Sequence, residues 1–245
     1  MSEIKKTETI VLNKFNYGDT SSIVTLFSAD DGKFNVIVKG ARSPKSKYGK
    51  IIDPVNHLQI VYYKKESRDL QLLTSAEIID HYPGIKSDLE RIKYAYAIIE
   101  LVKNLLAEHE ANQKLFKGLI RILTRLDAPN ENPGITFGRF FIFFLKEIGY
   151  GVQIENCTVC KENFFSGKSV YYNFDKGLIC GKCRKEAVEN YDINPELLQY
   201  LRCLKDNVTI ENLNSSVIRK ANLFLEQHLI YHVPDFKGIQ SLKYF

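Results

Sequence analysis

The hydrophobic period of the chain changes once, at Pro83-Gly84, and no single element type can satisfy both sides of that change. From residue 7 to residue 79, apolar and polar side chains alternate in short runs rich in Val, Ile, Thr, Phe and Tyr. A period of two places every second side chain on one face, so these runs predict strands. Five are expected, near Thr7–Phe15, Ser21–Ser28, Lys33–Arg42, His57–Lys65 and Leu70–Ile79. Turn residues separate them, among them Tyr17-Gly18-Asp19 and the hairpin signal Asp31-Gly32. Five short strands without an intervening helix suit a small closed β-barrel of the OB type, because closure leaves no exposed sheet edge.

Beyond Pro83-Gly84 the apolar positions recur at helical spacing. Leu89, Ile92, Tyr96, Ile99, Val102 and Leu106 lie on one stripe, which predicts a helix over about 87–110 with its N-cap at Ser87-Asp88. Further helices are expected at Asn112–Leu126, Gly134–Ile148, Asn194–Asp206 and Asn214–His232. The third carries Phe137, Phe140, Phe141, Phe143 and Phe144 around most of its circumference, so burial among the others is expected. The predicted fold class is α+β: residues 1–80 form a five-stranded OB-fold barrel. Residues 81–245 form a helical domain into which a cysteine-bearing loop, 155–185, is inserted.

A chain of 245 residues, 44% hydrophobic and 26% charged, buries a core without disulfides, which excludes disordered and miniature disulfide-stapled classes. The N-terminal run MSEIKKTETI lacks the pattern of a signal peptide, and a cytoplasmic location is expected. The five cysteines therefore ask for a metal or for simple packing. Cys157 and Cys160 form one Cys-x-x-Cys pair and Cys180 and Cys183 a second, nineteen residues on. Each pair folds two thiolates towards one point, and two pairs complete a tetrahedron around Zn²⁺. Four thiolates close the coordination sphere, so the zinc expected here is structural rather than catalytic. The aromatic residues Phe164-Phe165, Tyr171-Tyr172 and Phe174 suggest a small hairpin between the pairs. Cys203, among Leu197, Leu198, Leu201 and Leu204, reads as a core residue.

The formal charge of +5 is spread thinly, and only local clustering can give it an electrostatic role. Lys33, Lys39, Arg42, Lys45, Lys47 and Lys50 form such a cluster, with no acidic residue between the first and the last. Ser43, Ser46 and backbone N–H groups add neutral donors for phosphate oxygens. Phe34, Tyr48, Tyr62 and Tyr63 are candidate rings for stacking on exposed bases, although only one of the adjacent Tyr62 and Tyr63 can face out of a strand. The DNA-binding candidates are Lys39, Arg42, Lys45, Lys47 and Lys50; the competing reading is a lysine-rich loop kept for solubility.

On the helix Asn112–Leu126, Lys114, Lys117, Arg121 and Arg125 share one face beside Leu115, Leu119, Ile122 and Leu126. A basic ridge along an apolar groove would suit a short acidic peptide, whereas an ordinary amphipathic surface helix gives the same pattern. Catalytic signatures are missing. Gly167-Lys168-Ser169 lacks the upstream glycine of a phosphate loop, having Glu162 there, and His228 and His232 lack the glutamate of a zinc-protease helix and read as a surface pair. No catalytic residue is predicted.

Two stretches resemble one family. The run VIVKGARSPKSK from Val36 to Lys47, followed by Pro54, and the run GYGVQIENCTVC from Gly149 to Cys160, completed by GLICGKC from Gly177 to Cys183, are similar to signatures of the RecO family of bacterial recombination mediators. Lys39 and Arg42 match that family's basic positions. Many members carry glycine directly after the second cysteine, where this chain has Lys161. The resemblance implies a non-enzymatic protein that binds single- and double-stranded DNA and anneals complementary strands. It also implies partnership with RecR in loading RecA onto DNA coated by single-strand-binding protein, and contact with the acidic C-terminal tail of that coating protein. Two other readings remain open from the residues alone, an RNA-binding OB/zinc protein and a zinc-dependent nucleic-acid hydrolase.

Overall fold

The computed structural model describes residues 3–163, 170–184, 191–208 and 214–243. Its chain packs into two compact units, Met1–Pro133 with Ile239–Phe245, and Gly134–Gly238. The packing boundary does not coincide with the change of element type near residue 80: the unit that holds the strands also takes in the first three helices.

In the first unit, β1 (Glu3–Tyr17), β2 (Ser21–Ser28), β3 (Gly32–Val38), β4 (His57–Lys64) and β5 (Leu70–Asp80) close into a barrel in the order β1-β2-β3-β5-β4. This is the expected five-stranded OB arrangement. Strand β1 outruns its predicted length because it serves two neighbours: Glu3 to Ile10 pair with β4 and Ile10 to Tyr17 with β2. A bulge between Val11 and Asn13 turns the strand between them. Inside the barrel, Val11, Val24, Leu26, Phe34, Val36, Leu58, Ile60, Tyr62 and Leu73 make one buried cluster. Strand β3 ends at Val38 rather than at residue 42, since Gly40 has φ 66° and its carbonyl accepts from Ser43 N at 3.1 Å, closing a turn.

Helices α1 (Pro83–Ser87), α2 (Leu89–Leu105) and α3 (Gln113–Asp127) follow. Ser87 ends the short α1, and Asp88 alone caps α2 by accepting from Arg91 N at 2.9 Å. The expected extension of α2 to residue 110 does not form. Leu106 is already extended, Glu108 bridges to Lys33, and His109 N donates to the Lys33 carbonyl at 2.9 Å, so this stretch follows the barrel instead. Gly32 makes that approach feasible, since a Cβ there would lie 2.3 Å from the Glu110 carbonyl oxygen.

The second unit begins with α4 (Pro133–Glu147), whose Phe137, Phe140, Phe141 and Phe144 are buried as expected while Phe143 is only half-buried. A three-stranded sheet in the order β7-β6-β8 joins β6 (Val170–Asn173), β7 (Gly177–Cys180) and β8 (Tyr191–Ile193). Helices α5 (Pro195–Asp206) and α6 (Ser215–His232) complete it, each capped by an asparagine at the predicted start: Asn194 accepts from Leu197 N and Asn214 from Ser216 N. Phe164-Phe165 and Gly167-Lys168-Ser169 lie outside the described residues. Cys203 is half-buried rather than in the core. His228 and His232 are not a surface pair, because His228 is buried between the Tyr150 carbonyl at 2.9 Å and the Tyr172 hydroxyl at 3.3 Å. Among the described residues, no helix is long and apolar enough to cross a membrane.

Candidate metal centre and nucleic-acid interface

The two cysteine pairs meet in the second unit. The sulfurs of Cys157, Cys160, Cys180 and Cys183 all lie within 4.8 Å of one another, and Cys160 and Cys180 Sγ are 3.7 Å apart. Sulfurs 2.3 Å from a shared tetrahedral ion would be separated by about 3.8 Å, so the quartet has the size of a four-thiolate metal cage. Local hydrogen bonds build it. Lys161 N donates to the Cys157 carbonyl at 2.8 Å, and Cys183 N and Arg184 N donate to the Cys180 carbonyl at 2.9 and 3.1 Å, closing one tight turn per pair. The first turn is fastened to β7, where Thr158 N and Oγ1 both donate to the Leu178 carbonyl, at 2.8 and 3.0 Å. Burial alone would raise the Cys157 thiol, yet backbone N–H groups of Cys160, Cys180 and Val159 draw it down to about 6. The adjoining sulfurs of Cys180 and Cys160 push Cys183 up to about 12. Crowded thiolates repel one another, and a divalent cation among them removes that cost. The four cysteines can hold a metal ion with no open coordination position.

In the first unit the basic segment joins β3 to β4. Of its six cations, Lys33 turns inward, its Nζ donating to the Lys103 carbonyl at 2.7 Å. Lys39, Arg42, Lys45, Lys47 and Lys50 are all exposed. The segment is nonetheless pinned to the barrel: Ala41, Ile52 and Val55 are buried, Lys14 Nζ donates to the Gly49 carbonyl at 2.7 Å and to Asp53 Oδ1 at 2.9 Å, and Arg42 Nη1 donates to the Gly18 carbonyl at 3.0 Å. The candidate rings fare unevenly. Phe34 and Tyr62 are core residues whose ring centres are 5.0 Å apart, so neither can meet a base. The Tyr48 hydroxyl donates to the Thr74 carbonyl at 3.0 Å, and Tyr63 alone of the four is exposed, as the strand period requires of one member of the Tyr62-Tyr63 pair.

On α3, Lys114, Lys117 and Arg121 are exposed, while Arg125 pairs with Glu131 at 2.9 Å. Leu115, Leu119, Ile122 and Leu126 are buried in the unit's core, so the apolar groove expected beside the ridge is not open at the surface. The periodicity that suggested a groove is that of a helix packed by its apolar face.

Comparison with known proteins decides the family. Residues 1–82 match the model described as "Recombination protein O N terminal", and residues 86–238 match "Recombination protein O C terminal". The chain belongs to the recombination protein O family. Curated relatives named DNA repair protein RecO include those of Chloroherpeton thalassium, 32% identical over 64% of this chain and 60% of the relative, and Acetivibrio thermocellus, 30% identical over 73% and 70%. The RecO of Pelotomaculum thermopropionicum is 25% identical over 99% of this chain and 95% of its own. The match to the Chloroherpeton relative thus spans less than two thirds of that protein's length.

Proposed function

We propose that this RecO-family chain is a non-enzymatic, DNA-binding recombination mediator that acts in the cytoplasm at the nucleoid. It anneals complementary strands and, with RecR, helps load RecA onto DNA coated by single-strand-binding protein. The observation that carries DNA binding is the exposed set Lys39, Arg42, Lys45, Lys47 and Lys50 on a segment anchored to an OB barrel. Annealing needs no bond-making by the protein: the cations offset the repulsion between two phosphate chains while the strands are held open for pairing. In this division of labour residues 1–80 engage DNA and residues 81–245 provide the helical and metal-bearing part. The Cys157, Cys160, Cys180 and Cys183 cage takes Zn²⁺ in a structural role, because four thiolates at this spacing suit its tetrahedral preference. The exposed Lys114, Lys117 and Arg121 remain the place for the acidic tail of the coating protein, through charge rather than through an apolar groove.

An annealing assay with two complementary oligonucleotides, bare and coated by single-strand-binding protein, tests the reading. Accelerated duplex formation in both cases is expected, and rates equal to the protein-free control would refute it. RNA in competition with single-stranded DNA separates this reading from an RNA-binding role.

A further inference from the structure

The four sulfurs of the cage are not equally sheltered. Cys157 and Cys180 are buried, Cys183 is half-buried and Cys160 is exposed, so one side of the cage meets solvent. Lysines stand beside both outer cysteines: Lys161 follows Cys160 and Lys182 precedes Cys183, and both are exposed. Arg184 is exposed as well, its guanidinium 4.1 Å from the centre of the Tyr171 ring. Reactive cysteines occupy partly exposed, electropositive surroundings of this kind. The exposed sulfur also has a partner within reach in the opposite pair, since Cys160 Sγ and Cys180 Sγ are 3.7 Å apart, contact distance for two sulfurs. Cys157 is tied down instead, its buried Sγ accepting from Cys180 N at 3.5 Å.

We propose that Cys160 is the site at which peroxide oxidises this protein, and that the product is a Cys160–Cys180 disulfide that replaces the metal as the link between the two pairs. The proposal rests on the metal-cage reading above. The Cys160 thiolate attacks one oxygen of hydrogen peroxide; the O–O bond breaks, hydroxide leaves and a sulfenic acid forms. The Cys180 thiolate attacks that sulfur, the S–O bond breaks, a second hydroxide leaves and the S–S bond forms. Each thiolate gives up one electron, and the peroxide takes both to become two hydroxides. Cys157 and Cys183 then remain as two donors where the cage had four, too few to retain the ion. Because the new bond crosses from one pair to the other, it joins the same two turns that the ion joined. It also closes a loop across a separation of 20 residues, which constrains the unfolded chain. A bond inside either pair would give no such link. Reduction by a thiol reverses the change.

The test uses the full chain carrying Cys203→Ser, which removes the fifth cysteine, loaded with zinc and treated with one equivalent of hydrogen peroxide. A chromogenic chelator should record the release of one zinc ion per chain. Mass mapping of proteolytic fragments should find Cys160 joined to Cys180, with Cys157 and Cys183 free to be alkylated. The oxidised protein should melt above the reduced protein stripped of metal by a chelator, because only the first keeps a link between the pairs. A dithiol with added zinc should restore both the metal and the four thiols. Zinc retained after treatment, or a main product other than the Cys160–Cys180 disulfide, overturns the proposal; the zinc loaded beforehand then leaves the cage reading standing. A reduced chain that takes up no zinc overturns the cage reading first and this proposal with it.

Discussion

Lys161 occupies a left-handed backbone conformation, φ 63°, directly after the second cysteine of its pair. A side chain with a Cβ is strained there, and nothing in the sequence alone shows that strain. Lys161→Gly should therefore stabilise the second unit by about 0.5–1 kcal/mol, read as a melting temperature raised by a few degrees with metal content unchanged; a lower one contradicts it. His228 is the second informative residue. Burial holds its imidazole neutral, down to about 4, even though its bond to the Tyr150 carbonyl pulls the other way. The unfolded chain binds this proton below about 6.5 and the folded chain does not, so the stabilisation is complete above that pH and is lost as pH falls towards 4. The full loss is about 3 kcal/mol, and His228→Asn should flatten the fall in denaturant stability between those limits. Equal slopes for the two proteins would refute the assignment. The i, i+4 spacing of His228 and His232 was legible, but the burial of the first was not. That burial depends on Tyr172, 56 residues away along the chain.

At the scale of elements, the strands and helices were legible because each buries one face against a core of the matching period. The exceptions occur where backbone meets backbone. Nothing in the periodicity of 87–110 shows that residues 106–110 leave the helix to pair beside Lys33, nor that Gly32 permits it. Gly32→Ala should cost at least about 2 kcal/mol, combining a left-handed Cβ with a clash at the Glu110 carbonyl, and chemical denaturation would show it; an unshifted midpoint would not fit this packing. The cysteine pairs were legible in their spacing, and their sulfurs meet because β7 carries Cys180 beside the turn that Thr158 fastens to the Leu178 carbonyl. The rings proposed near the basic segment were not. Phe34 and Tyr62 lie on strands whose outward faces mix polar and apolar residues, Asn35 with Ile37 and Gln59 with Tyr63, so the alternation is weak there and the register decides which ring meets the core. Cys157→Ser should remove one donor from the cage, lower the bound metal below one ion per chain and reduce the melting temperature. The wild-type protein treated with a chelator should approach the same melting temperature. Full metal content with unaltered melting in the variant would show that the four sulfurs do not act as a cage.

For the whole molecule, family membership follows from matches over residues 1–82 and 86–238, and the proposed DNA binding rests on where the charge is exposed. A formal charge of +5 is modest, so under the proposed reading affinity for DNA comes from local clustering, from the five cations within residues 39–50, on a segment held to the barrel by Lys14, Arg42 and the buried Ile52. The most direct test is the affinity for a single-stranded oligonucleotide measured across a range of salt concentrations. If each of the five cations neutralises one phosphate, log affinity should fall with log salt with a slope of about −3.5, and Lys39→Glu with Arg42→Glu should bring it to about −2 while weakening binding. A slope near zero, or a charge-reversed protein that binds as the parent does, would contradict the account.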